Sequence, residues 1–167
     1  MGLDTGMTFK IMPKPGYKFD INGIQLDYKE FDLIYFRKYF NLTNEIEKIM
    51  DEIDELNTIS EYGCTFDGDS DGIDLILNVI KNSYNETLLG YGKEPYWDTG
   101  EVLRCEALAI HNLEVFKHYR CGRLDFLTML DAMTEIDNKD MEVARLIEQQ
   151  SEIVDWDNIE IELYISY

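Results

Sequence analysis

The tail of the chain, Ile159-Glu160-Ile161-Glu162-Leu163-Tyr164-Ile165-Ser166, alternates apolar and polar side chains without a break. A period of two puts the branched residues on one side of an extended strand and the carboxylates on the other, so the segment suits a sheet buried on one face. Near the other terminus Met7, Phe9 and Ile11 alternate with Thr8 and Lys10 over residues 6–12, until Pro13, Pro15 and Gly16 stop the pattern. These two strands are expected to pair, which would set Lys10 facing a carboxylate of the last strand.

Between them the spacing becomes helical. Asp27, with Glu30 three residues on, has the form of a capping box, and Phe31, Ile34, Tyr35, Phe36, Tyr39 and Phe40 predict an aromatic helix over 28–40. Thr43 is the predicted cap of a second helix, whose apolar stripe is Ile46, Ile49, Met50, Ile53 and Leu56. A third helix is expected over 72–83 and an aromatic loop over 84–98. A long helix then opens at Asp98 with Glu101 and runs to about Tyr119, with Gly122 as its stop, and two more lie near 125–136 and 139–153. The expected fold class is α+β, mostly helical with a small sheet formed by the N- and C-terminal strands, in a single acidic globular domain over 1–167.

A hydrophobic content of 45%, with 13% aromatics, separates this chain from disordered sequences of similar charge. No apolar run reaches the length of a membrane span, the N-terminus has no signal-peptide pattern, and Gly6 stands where a myristoylation motif needs Ser or Thr. Cys64, Cys105 and Cys121 are odd in number and without CxxC spacing, so they read as reduced thiols, and the expected location is the cytoplasm. The formal charge is −19, and it is uneven: residues 1–40 hold six basic against five acidic side chains, which leaves about −20 on the remainder. Such a field repels nucleic acid and anionic membranes and attracts a basic protein surface.

Two acidic stretches stand out. Glu45, Glu47, Asp51, Glu52, Asp54 and Glu55 share the second predicted helix, and over 125–162 twelve acidic residues face only Lys139 and Arg145. Carboxylates one helical turn apart repeat on a scale comparable to backbone phosphates, so such a face can occupy a basic channel built for DNA or RNA. A solubilising outer face is the plain alternative, but acidity with so few compensating lysines brings self-repulsion that solubility does not require.

Asp67-Gly68-Asp69-Ser70-Asp71-Gly72 has the form of the first half of an EF-hand loop, with oxygens at positions 1, 3 and 5 and Gly at 6. Asn78 then stands where the bidentate Glu belongs, so the expectation is a turn with Asp71 capping the next helix, weak calcium binding being the alternative and no other cofactor being expected. His111, Glu114 and His118 fall on one face of the long helix as a second possible metal set. A small-ligand pocket is a further option: Tyr35, Tyr39, Tyr91, Tyr96 and Trp97 would stack on a base while Lys10, Lys14, Arg37 or Lys38 neutralises phosphate. No nucleophile elbow, P-loop or dinucleotide fingerprint is present.

Met1-Gly2-Leu3-Asp4 together with Tyr35-Phe36-Arg37-Lys38 resembles a group of small bacteriophage proteins that begin Met-Gly-Leu-Asp and carry Tyr-Trp-Arg-Lys; Phe36 stands in place of the Trp. The resemblance covers about the first third of the chain and implies a phage-like origin. High acidity in a small protein is also similar, in composition alone, to anti-restriction and anti-CRISPR inhibitors that imitate nucleic acid. The expected function is therefore a non-enzymatic inhibitor of a host defence nuclease or nucleic-acid-binding protein. Its partner would be a basic host protein, with no direct nucleic-acid or membrane binding. A nucleotide-signal sponge is the alternative, and a metal-dependent enzyme is third. If residues 67–72 only turn and cap, millimolar calcium leaves the melting temperature unchanged; an upward shift abolished by Asp69→Ala would make calcium a cofactor.

Overall fold

The computed structural model describes residues 2–167 apart from 51, 54–56, 61–62, 69–70, 92–93, 121–124 and 135, and for 57–60 and 63 the backbone alone. The terminal strands pair. β7 (Glu160–Ser166) runs antiparallel to β1 (Asp4–Ile11), with Met7 opposite Leu163 and Phe9 opposite Ile161. Lys10 stands opposite Glu160 on one side and Glu30 on the other, its ammonium 3.9 Å from Glu30 Oε1. With β4 (Lys29–Arg37), β5 (Asn57–Ser60) and β6 (Gly63–Asp67) these strands form one antiparallel sheet in the order β4-β1-β7-β6-β5. The fold is α+β.

The aromatic helix expected over 28–40 is instead strand β4. Its register against β1 slips between Met7, opposite Ile34, and Thr8, opposite Asp32, so Leu33 is an extra residue in a β-bulge. The bulge changes the phase of the alternation: Phe31 and Leu33 face the core before it, Ile34 and Phe36 after it. The pairs 31/34 and 33/36 therefore imitate helical spacing. Ahead of β4, β2 (Phe19–Ile21) and β3 (Ile24–Leu26) make a hairpin around Asn22 (φ 52°) and Gly23 (φ 88°), the left-handed pair that a two-residue turn demands.

The helices come close to their predicted positions. α1 (Phe40–Met50) starts before Thr43, which is not its cap; Thr43 is buried, with its hydroxyl 2.6 Å from that of Thr5. Its apolar side holds Ile46, fully buried, with Ile49 and Met50 half-buried, and Ile53 is buried just beyond its end; Leu56 lies outside the described residues. α2 (Gly72–Leu88) continues past the expected end and takes in Tyr84. α3 (Thr99–Tyr119) has the predicted cap, Asp98 accepting the Glu101 N–H at 2.8 Å. It ends on left-handed Arg120 (φ 54°), two residues before Gly122, which lies outside the described residues. α4 (Phe126–Ala132) is short, and α5 (Asn138–Gln149) is capped by Asp137.

One column of rings ties the layers together. Phe9 on β1 stacks on Phe31 of β4 at 5.2 Å and meets Phe116 of α3 at 5.4 Å, while Phe31 meets Phe126 of α4 at 5.8 Å. On the opposite face of β1 the Tyr164 ring lies across Gly6, where any Cβ would overlap it. Gly6→Ala should destabilise by about 1–3 kcal/mol through overpacking, and the cost should shrink when Tyr164→Ala is added. A double-mutant cycle in denaturant checks this, and strict additivity would refute the contact.

Candidate functional site

α1, α2 and the start of α3 enclose an open groove of about 810 Å³ with Tyr91 and Glu94 of the connecting segment. The sequence places carboxylates on three of the walls: Glu45 and Glu47 on α1, Glu86 on α2, and Glu94 from the connecting segment, against Lys48 as the one cation among the described lining residues. Lys48 is held by Glu45 at 2.9 Å, one helical turn away. Glu47 accepts the Tyr167 hydroxyl. Glu94 is buried, and its two oxygens accept the Asn41 and Leu42 N–H groups at 3.0 Å each. It thus caps α1 from more than fifty residues away. Burial pushes its pKa up, while those amide bonds pull it down.

Behind this groove lies Glu106, 0% exposed on the core face of α3, with no hydrogen-bond partner of good geometry at either oxygen. Burial raises its pKa to about 7; the Ser83 hydroxyl beside it favours the ionised form, and Glu94 and Glu86 oppose it. Val102, Glu106, Ala109, Leu113 and Phe116 follow one helical stripe, so a glutamate in an apolar series was the available signal for this residue. Glu94 and Glu86 carried no comparable signal.

Of the acidic face expected on the second helix, Glu45 and Glu47 reach the groove and Glu52 is exposed in the turn after α1. Asp51, Asp54 and Glu55 lie outside the described residues. The proposed ligand residues divide. Tyr35, Arg37, Tyr39 and Trp97 line a second cavity of about 310 Å³ between β4 and α3, together with Arg104 and Cys105. Tyr39 is only 2% exposed, Trp97 donates to the Arg37 carbonyl at 2.7 Å, and Tyr35 donates to Asp4 at 2.6 Å. Tyr91 lines the acidic groove instead, Lys38 lies over the Tyr96 ring at 5.3 Å, Lys10 over that of Tyr28 at 4.4 Å, and Lys14 is exposed.

The histidine set does not converge. His111 Nε2 bonds the Ala132 carbonyl at 2.8 Å, Glu114 pairs with Lys81 at 3.0 Å, and His118 meets the Tyr119 ring edge-on at 4.7 Å. Asp69 of the aspartate loop lies outside the described residues; Asp67 closes β6, and Asp71 precedes α2 without a side-chain capping bond. Gly72 takes no left-handed turn; it begins α2 and leaves room for the Phe66 ring. Among the described residues no group of three His, Cys, Asp or Glu side chains can hold a metal ion, and no helix is long and apolar enough to cross a membrane. Comparison with protein-family models, curated proteins and solved structures finds no match.

A carboxyl whose folded pKa exceeds its unfolded value stabilises fully below the unfolded value and loses that contribution as pH rises through the folded one. For Glu106 the window runs from 4.5 to about 7, worth on the order of 3 kcal/mol at about 1.4 kcal/mol per unit. Denaturant titrations from pH 4.5 to 8 should show the native protein losing stability relative to Glu106→Gln. Parallel curves would mean that the carboxyl is not buried as described.

Proposed function

We propose that the protein is a non-enzymatic inhibitor that binds a basic, nucleic-acid-handling surface of another protein in the cytoplasm of a host cell, with the groove between α1, α2 and α3 receiving that surface's cationic side chains. The observation that carries this reading is the set of four carboxylates against Lys48 in an open cavity of about 810 Å³. Its size and the spread of its acids suit organic cations better than a bare ion. The net charge of −19 would speed encounter with a basic partner. The resemblance to bacteriophage proteins points to host defence proteins as the partner class.

A second reading rests on the cavity between β4 and α3. Its volume, about 310 Å³, lies near the lower end for small-molecule sites, roughly 300–1,000 Å³. Its aromatics and Arg37 suit a small planar anion. Glu101 already holds Arg104 at 2.7 Å, which leaves less positive charge for phosphate than a nucleotide sponge needs.

The test is capture from a bacterial lysate on immobilised protein, followed by a DNA-binding assay on what is retained. Capture should weaken steeply between 50 and 500 mM salt, duplex DNA should displace the captured protein, and Glu45→Gln/Glu47→Gln/Glu86→Gln should bind it at least tenfold more weakly with an unchanged melting temperature. That loss corresponds to about 1.4 kcal/mol, within reach of three contacts of roughly 0.2–1 kcal/mol each. Undiminished binding by the triple variant would remove the groove from the interface. Captured proteins with no affinity for nucleic acid would remove the mimicry.

A further inference from the structure

Glu106 has both carboxylate oxygens buried and without a hydrogen bond of good geometry, the Ser83 hydroxyl lying close by. Native proteins seldom leave a buried polar atom in that condition, and two on one group call for an explanation. Its surroundings show which way the carboxyl points. The hydroxyl beside it is Ser83 and the nearest charges are Glu86 and Glu94; all three residues line the acidic groove. Val102, one turn earlier on α3, lines it too. The carboxyl therefore lies behind the groove wall, beside the small half-buried side chain of Ser83, and is itself closed to solvent.

We propose that the groove deepens beside Ser83 into a subsite for one arginine side chain of the basic partner, whose guanidinium bonds the Glu106 carboxylate while Glu86 and Glu94 flank it. The inference rests on the groove reading above and names what its deepest part recognises. Lys48 does not fill the role, because it is exposed and paired with Glu45 at 2.9 Å. A metal ion does not fit, since these acids do not gather around one point. Acceptors spread over three carboxyls match a planar guanidinium, whose five donors bond several partners at once and whose weaker hydration eases its entry into a buried site. A lysine ammonium, compact and strongly hydrated, suits it less.

Entry of the cation also moves a proton. Among the described residues the titratable groups facing Glu106 from the surrounding elements are Glu86 of α2, Glu94 of the connecting segment and Tyr39 ahead of α1, with no cation near it. Free Glu106, with its pKa near 7, is about half protonated at neutral pH. The guanidinium binds the ionised form, so the carboxyl O–H bond breaks and its proton passes to solvent as the N–H···O contacts form.

The experiment is isothermal calorimetry with the peptide Gly-Arg-Gly, its lysine counterpart Gly-Lys-Gly, and spermidine, in buffers of different ionisation enthalpy. Gly-Arg-Gly should bind more tightly than Gly-Lys-Gly and release about half a proton at pH 7 and almost none at pH 9. Glu106→Gln and Glu106→Met should each weaken it at least tenfold and abolish the release. The methionine variant should melt no lower than the native protein, which separates lost binding from lost folding. Equal binding by either variant, absence of Gly-Arg-Gly binding to the native protein, or tenfold loss without any native proton release would overturn the subsite. Tighter, Glu106-dependent binding of spermidine would overturn the arginine assignment in favour of a free polyamine. If the Glu106 variants lose nothing while the triple groove variant fails to capture its partner, the subsite falls and the groove stands. If the triple variant captures normally, the groove reading falls.

Discussion

Strand β1 has no free edge: β4 occupies one side and β7 the other, and the sheet cannot close until the last strand of the chain reaches the first. Every other layer is referred to that pairing. Phe9 stands at the centre of the ring column that reaches α3 and, through Phe31, α4. Thr5 on the same strand bonds Thr43 and so fixes α1. Contacts of such long sequence separation carry a loop-closure cost before they contribute, so they favour late consolidation of the sheet around helices formed earlier.

The same strand shows what the acidity does to the fold. Glu30 and Glu162 lie close enough on the sheet's polar face to raise the Glu30 pKa, an effect led by burial, with Lys10 and Lys29 opposing it. Lys10, between Glu30 and Glu160 in the register, is the cation that tempers this row. On this face of the sheet Lys10 thus sits where carboxylates crowd. Lys29 does the same at the N-terminal turn of α5, 2.7 Å from Asp140.

Elements governed by local chemistry were legible in the sequence. The terminal strands follow from unbroken alternation, and α3 follows from Asp98 and a long apolar series. Elements governed by distant contacts were not. β4 hid because one bulged residue, Leu33, turned a period of two into pairs three apart. The start of α1 was set by Glu94, a cap supplied from another part of the chain, so Thr43 was free to enter the core. The hairpin had a readable sign in Asn22-Gly23, but its strands of three residues each are too short to display alternation. At the groove, Glu45 and Glu47 were legible as acidic helix positions. Glu86 and Glu94 joined them only through the packing of α2 and the 89–98 segment.

A cavity lined by like charges tends to open, because its walls repel each other more strongly than water screens them at close range. Two features oppose that here. Ion pairs from Lys81 to Glu114 and from Lys117 to Asp74 clamp α2 to α3, at 3.0 and 2.6 Å. Glu94, by capping α1, ties the connecting segment to the opposite wall with a charge that would otherwise add to the repulsion. The remaining carboxylates are thereby held in place, and in the proposed recognition such a preorganised site would spend less of its interaction energy on ordering when it binds. Glu106 is the extreme case. Its burial as a carboxylate destabilises the fold, and the proposed cation would relieve that strain, so the structural penalty and the proposed recognition have the same electrostatic origin.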